Sequence, residues 1–320
     1  MDSEFLVADI GGTNVRFAIA NIDENLDIQL NDVNMYPTEN WLYLEDAVND
    51  YLAQVGKRVK KASIAFAGPV NKDEVSMTNG TWQFNQSELA SYLHMEEVIV
   101  MNDYYAHACS MPILKDDQLI KIGGGESIKN GNMVVLGPGT GVGVGAIVSV
   151  GEKWKAVASE GGHIGFSPSG ALEKEIFKII ADDYNRVSIE ELMSGRGLSN
   201  IHFALGKIKG LDQSKIRPTT INKLATEEND ENSVQAIKIF SGMLGSFASD
   251  MAGTFNATAG VFLAGGMLPK MQQFFLESDF RAKFEENEKL PFVKSIETYL
   301  IIEKYPALYG AAAHYSGMFL

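Results

Sequence analysis

Phe5-Leu6-Val7-Ala8-Asp9-Ile10-Gly11-Gly12-Thr13-Asn14-Val15-Arg16-Phe17-Ala18-Ile19-Ala20 is the stretch on which the fold turns. A short, mostly apolar run over residues 5–10 breaks at paired glycines and resumes over 15–20, so it reads as strand, tight turn, strand. The paired glycines make helix a poor reading. Asp9 ends the first strand, so its carboxylate and the backbone N–H groups of the turn share one place. Such a turn can cradle phosphate. Glycine permits positive φ and close approach, Thr13 and Asn14 add donors, Arg16 adds fixed charge, and Asp9 can hold a metal ion through water. Alone, the same residues would more often make an ordinary hairpin turn.

A second unit of the same kind lies about halfway along. Residues 133–136 run into Gly137-Pro138-Gly139-Thr140-Gly141, and residues 142–150 alternate like a strand. Neither turn has the G-x-x-x-x-G-K-[ST] spacing of a P-loop, and the strand after Gly141 stands where a dinucleotide fold needs a helix. Two glycine turns, each opening half of the chain, suggest a weak internal repeat and two lobes facing a cleft. A pair of phosphate loops suits a nucleotide triphosphate.

Between and beyond these turns the pattern alternates. Residues 41–55 have helical spacing, 62–67 and 98–101 look like buried strands, and 104–110 look like a helix start. The second half is mostly helical, with a long stretch over 234–255, a strand over 260–264, and a helix from Leu268. Residues 229–233 and 207–217 read as solvated connections.

Composition narrows the function classes. The chain has 320 residues and 45% hydrophobic content, enough for a substantial core and for two domains. With 27 Lys+Arg against 41 Asp+Glu, the net charge of -14 argues against nucleic acid. The single cysteine, Cys109, excludes an intramolecular disulfide and a Cys-rich zinc site, and reads as a small buried hydrophobe. The N-terminus lacks the basic start and long apolar run of a signal peptide, and no apolar stretch reaches membrane-spanning length. A cytoplasmic protein without membrane partners is the expectation.

Four further groups carry chemistry. Asn102-Asp103 follows the strand over 98–101, where Asp103 is either a helix N-cap or a base able to take a proton from a hydroxyl, with Asn102 orienting the same ligand. Glu160-Gly161-Gly162-His163 sets an acceptor and an imidazole about a Gly-Gly turn, which suits a polyhydroxylated ligand better than zinc. Ser188 and Glu191 have capping-box spacing, leaving Glu190 the freer acid. Gly265-Gly266 after a strand either lets a flat adenosine approach or packs a helix against the strand. His94, His107, His202 and His314 are single and carry no signal.

Taken together, the chain resembles bacterial glucokinases of the proteobacterial type, within the sugar kinase, actin and heat-shock-protein ATPase superfamily. The segments that carry this are Ala8-Asp9-Ile10-Gly11-Gly12-Thr13-Asn14-Val15-Arg16, Met77-Thr78-Asn79-Gly80-Thr81-Trp82, Asn102-Asp103, Gly137-Pro138-Gly139-Thr140-Gly141, Glu160-Gly161-Gly162-His163, Ser194-Gly195-Arg196-Gly197-Leu198 and Ala264-Gly265-Gly266.

The resemblance implies an α/β, two-lobed actin-like ATPase (ribonuclease H-like) fold with an interdomain cleft. Its smaller lobe would span 1–110, completed by a C-terminal helix at 305–320, with a larger lobe over 111–304. It implies ATP-dependent phosphorylation of glucose with Mg2+, Asp103 as catalytic base, and sugar contacts from Asn102, Asp103, Glu160, His163 and Glu190. Nucleotide contacts would come from Ala8, Asp9, Ile10, Gly11, Gly12, Thr13, Gly137, Gly139, Thr140, Gly141, Gly265 and Gly266, with Asp9 on the metal through water. Homodimers are common in the family. Tyr104 and Tyr105 stand where a Phe and a smaller residue are more familiar. A kinase for another hexose and a non-catalytic sugar sensor of the same fold are the alternatives.

Overall fold

The computed structural model describes residues 4–71, 73–77, 82–125 and 127–320. By contact the chain forms two units, Met1–Asp116 with Gly145–Ala158 and Glu303–Leu320, and Asp117–Val144 with Ser159–Ile302. Residues 78–81 of the resemblance lie outside the described residues.

The first unit opens as expected, with β1 (Glu4–Ile10) and β2 (Asn14–Ile22). Then come β3 (Ile28–Pro37), α1 (Leu44–Val55), β4 (Lys61–Phe66), the short strands β5 (Val70–Asn71), β6 (Glu74–Ser76) and β7 (Gln83–Asn85), α2 (Gln86–Tyr92), β8 (Glu97–Asn102) and α3 (Asp103–Ser110). The main sheet has the order β3-β2-β1-β4-β8. β1 is antiparallel to β2 but parallel to β4, which is parallel to β8.

Both faces of β1 are covered, which is why its sequence is continuously apolar. Leu6, Ala8 and Ile10 pack with Leu44, Val48 and Tyr51 of α1. On the other face, Phe5 and Val7 pack with Leu308, Ala311 and Ala312 of the C-terminal helix. The period of two puts Asp9 on this second face.

In the second unit come β9 (Leu119–Gly123), β10 (Met133–Pro138) and, across the 139–141 turn, the start of β11 (Val142–Val150). After β12 (Lys153–Ser159), α4 (Gly170–Ala181), α5 (Glu190–Met193), α6 (Gly195–Ile208), α7 (Pro218–Glu227) and α8 (Glu231–Phe255) follow. The chain then forms β13 (Gly260–Leu263), α9 (Gln272–Leu276), α10 (Phe280–Glu285), β14 (Thr298–Ile301) and α11 (Pro306–Ala313). β10 is parallel to β13, and β13 to β14, with β9 antiparallel at the edge. No helix among the described residues is long and apolar enough to cross a membrane.

Several expectations need correction. Residues 231–233 belong to α8, with Asn232 and Ser233 buried, so they are no solvated connection. The Asp230 carboxylate caps that helix by accepting from the Ser233 N–H at 2.8 Å. The helix expected from Leu268 begins as a 3-10 turn with Pro269 in its first positions, and α9 starts only at Gln272. The 305–320 segment is helical over Pro306–Ala313, then a 3-10 turn ending at Gly317 in the left-handed region. Cys109 is fully buried, as read from its type.

Candidate functional site

Sheet register gathers the chemistry of the first unit. Ile10 is level with Phe66 on β4, and Phe66 with Asn102 on β8. The glycine turn after β1 and the start of α3 therefore emerge from the carboxyl end of the same parallel strands, about 10 Å apart across two strand spacings. Ligands of open α/β sheets collect at such ends.

The turn is closed by the Gly11 N–H donating to the Asn14 carbonyl at 2.9 Å. Thr38 fastens it from β3's end, its hydroxyl on the Gly11 carbonyl at 2.8 Å and its N–H on the Thr13 carbonyl at 3.0 Å. Asp9 is mostly enclosed and takes the Arg16 guanidinium at 2.7 Å. Gly11 is not in the left-handed region; a Cβ there would stand 3.2 Å from the Asn14 carbonyl oxygen, so the glycine serves the tight closure of the turn rather than a positive φ.

Asn102, not Asp103, caps α3. Its side-chain oxygen accepts from the Tyr104 N–H at 2.9 Å and the Tyr105 N–H at 3.2 Å, and its amide nitrogen donates to the Gly68 carbonyl at 3.3 Å. Asp103 is the first helical residue, its Oδ1 also accepting from the Tyr104 N–H at 2.9 Å. α3 is held from behind by α11, where a Cβ on Gly310 would stand 1.7 Å from the Ala106 carbonyl oxygen.

Tyr104 and His107, one turn apart on α3, pack their rings with centroids 5.0 Å apart. Burial pushes the Tyr104 phenol far above its ordinary pKa, and the charges of Asp103 and Asp9 push the same way. Burial lowers His107, against the pull of Asp9 and with the help of Arg16. Asp9 and Asp103 thus act electrostatically on one small region.

In the second unit the 137–141 turn is closed by the Gly139 N–H on the Gly141 carbonyl at 2.8 Å. The Val142 N–H, just past it, donates to Glu190 Oε2 at 3.2 Å. A Cβ on Gly141 would lie 2.3 Å from that oxygen, so a side chain there would displace the Glu190 carboxylate. Gly162 is pressed onto the Val142 carbonyl, its Cβ position 2.0 Å from the oxygen. This contact sets Glu160 and His163 beside the same strand start, both side chains exposed, with 3.7 Å between Glu160 Oε2 and His163 Nε2. The phosphate-loop candidates and the sugar candidates of this unit therefore share one neighbourhood.

The capping box at Ser188 forms by half. Glu191 Oε2 accepts from the Ser188 N–H at 2.8 Å and from the Ser188 hydroxyl. Glu190 is also paired, Arg196 donating to its Oε1 at 3.0 Å, but with that bond and the one from Val142 it accepts fewer than Glu191 and is the freer of the two acids. Gly265 and Gly266 differ in their surroundings. Gly265 has φ +91° and its Cβ would stand 2.7 Å from the Pro138 carbonyl oxygen, which is a packing role, whereas nothing lies within 4 Å of a Cβ on Gly266.

Thr38 and Arg196 were missed, because each acts through a fold contact that no local spacing announces. Among the described residues, no cluster of three or more His, Cys, Asp or Glu can hold a metal ion.

The glucokinase family model matches residues 6–318. The chain is similar to the glucokinase of Chromobacterium violaceum, 37% identical over 97% of this chain and 88% of that one. The Colwellia psychrerythraea glucokinase is 37% identical over 98% and 96%. A solved glucokinase from an Antarctic psychrotroph superposes with a TM-score of 0.90 at 31% identity, covering 98% of each chain. A Streptomyces griseus ROK family glucokinase solved with glucose and AMPPNP shares the fold, at TM-score 0.65 and 19% identity over 97% and 98%. With its actin-like ATPase fold and its match across nearly the whole length, the chain belongs to the glucokinase family.

Proposed function

We propose that this protein is a glucokinase that transfers the γ-phosphoryl group of ATP to glucose, giving glucose 6-phosphate at the entry of glycolysis. The observation that carries the reading is the level register of Ile10, Phe66 and Asn102, which brings the Asp9 turn and Asp103 to one end of one sheet in a chain of this family.

Asp103 is the general base. Its carboxylate takes the proton of the sugar hydroxyl as that oxygen attacks phosphorus in line. Asn102 fixes the backbone at the start of α3, so the base is presented by a rigid element. Asn102, Glu160, His163 and Glu190 bind the sugar hydroxyls, and the carboxylates among them have acceptor positions beyond those filled within the protein. The turns at 8–13 and 137–141 receive the phosphates through backbone N–H groups, with Gly265 and Gly266 beside the adenosine.

Mg2+ fits this donor set only in part through protein. A lone Asp9 carboxylate already paired with Arg16 suits a metal held mainly by phosphate and water, as is usual for Mg2+. When bound, the ion would neutralise phosphate charge.

The proposal takes 1–110 with 305–320 as the smaller lobe and 111–304 as the larger. The contact grouping differs from this division chiefly at Gly145–Ala158. Water has to be excluded from the bound sugar and nucleotide, because it would otherwise hydrolyse ATP. A cytoplasmic homodimer completes the proposal on the strength of family membership.

Phosphorus NMR of a reaction with glucose and ATP-Mg tests it. Conversion of the γ-phosphate into a 6-phosphate ester is expected. Accumulation of inorganic phosphate alone would refute sugar phosphorylation.

A further inference from the structure

Glu190 and Glu191 are adjacent carboxylates at the start of α5, a helix of four residues with no side-chain cap. Their backbone is pinned. The Ser194 hydroxyl donates to the Glu190 carbonyl at 2.7 Å, and Asn200 Nδ2 to the Glu191 carbonyl at 2.9 Å. The Gly195 N–H donates to the Gly139 carbonyl at 2.8 Å, tying the start of α6 to the glycine turn. Gly197 has no space for a Cβ, which would stand 2.3 Å from the Leu192 carbonyl carbon.

The side chains need more than this, because like charges one residue apart repel. One nitrogen of Arg196 donates to both, to Glu190 Oε1 at 3.0 Å and to Glu191 Oε1 at 3.2 Å. Glu191 spends its other oxygen on Ser188, and its side chain is 13% exposed. Glu190 has one donor on each oxygen, Arg196 on Oε1 and the Val142 N–H on Oε2. A carboxylate accepts about four hydrogen bonds, so Glu190 is oriented yet keeps capacity for hydroxyls.

We propose that Arg196 is a positioning residue for sugar recognition: by bridging Glu190 and Glu191 it fixes the Glu190 carboxylate in the orientation that accepts from sugar hydroxyls, and so sets affinity for the sugar rather than the rate of phosphoryl transfer. This rests on the reading of Glu190 as a sugar ligand. Arg196 is 51% exposed, and exposed pairs contribute little to stability, so its removal leaves the fold intact.

The test is a double-mutant cycle in glucose KM, ATP KM and kcat, using wild type, Arg196→Met, Glu190→Gln and the double variant, with thermal melts alongside. Arg196→Met is expected to raise glucose KM by about tenfold, the scale of one charge-assisted hydrogen bond, with kcat and ATP KM changed less than about threefold. Arg196→Lys, which keeps a charge within reach, restores most of the affinity. In the Glu190→Gln background, Arg196→Met adds less than about twofold, because its effect passes through the missing carboxylate.

An equal fold-change in both backgrounds, or a rise in ATP KM instead of glucose KM, overturns the inference while leaving Glu190 as a ligand. An unchanged glucose KM in Glu190→Gln overturns the ligand reading and the inference with it. If Arg196→Met lowers the melting temperature markedly, the cycle with Arg196→Lys decides by the same criterion of coupling.

Discussion

Asp103 is the first residue of α3, and its Oδ1 shares the Tyr104 N–H with the Asn102 cap, a bond that an asparagine amide oxygen can also accept. Replacing it should therefore change chemistry more than structure. Asp103→Asn is expected to lower kcat by ~10²–10⁴, with ATP affinity, measured by calorimetry, essentially unchanged. A kcat near the wild-type value would remove the general base from the account. Cys109 offers a structural control at the same scale. Its thiol is fully buried and burial pushes its pKa strongly upward, so the thiolate needed for reaction is scarce. Native protein should resist an aromatic disulfide reagent at pH 8 and react with one equivalent on unfolding. Prompt native labelling would mean that the α3–α11 packing opens.

At the scale of elements, the site depends on backbones in contact without side chains between them. Gly310→Ala would drive a methyl into the Ala106 carbonyl and force α11 away from the helix that carries Asp103. A stability loss of about 2–3 kcal/mol is expected by denaturant unfolding, the upper range for overpacking, together with reduced kcat. Gly266→Ala meets nothing and should leave stability unchanged while raising ATP KM. Unchanged ATP KM would leave Gly266 without a role beside the adenosine.

These contacts also mark how far the sequence was legible. β1, β2 and the 137–141 turn were readable because their apolar runs and glycines are local signals. β3 was not, since its partly exposed Ile-Gln-Leu-Asn-Asp-Val run lacks a buried strand's pattern. The start of α8 was hidden because Asn232 and Ser233 are polar yet buried by tertiary packing. For the site, residue types announced Asp9, Asp103, Glu160 and His163. The bond from Thr38 to the first turn exists only once residues 27 apart meet, and the one from Arg196 to Glu190 depends on how the chain turns at Ser194 between α5 and α6.

For the molecule as a whole, three histidines drawn out of water contribute to the acid limb of stability. His107, His202 and His314 are all lowered, burial first, from an ordinary 6.5. In the window from 6.5 down to their folded values, the unfolded chain binds more protons than the native one, so stability falls as pH falls. Asp250, raised by burial, acts in the opposite sense nearer the carboxylate range. The melting temperature should therefore drop between pH 7 and 5. A rise over that interval would mean that these imidazoles gain protons on folding.

The central claim, that one carboxylate at the carboxyl edge of the first sheet serves a sugar hydroxyl, is tested most directly by ADP release measured across a panel of hexoses with and without Asp103. The account predicts ATP turnover that requires a hexose, is most efficient with glucose, and is lost in Asp103→Asn. ADP release of equal rate without any sugar, or glucose-dependent release undiminished in the variant, would contradict it.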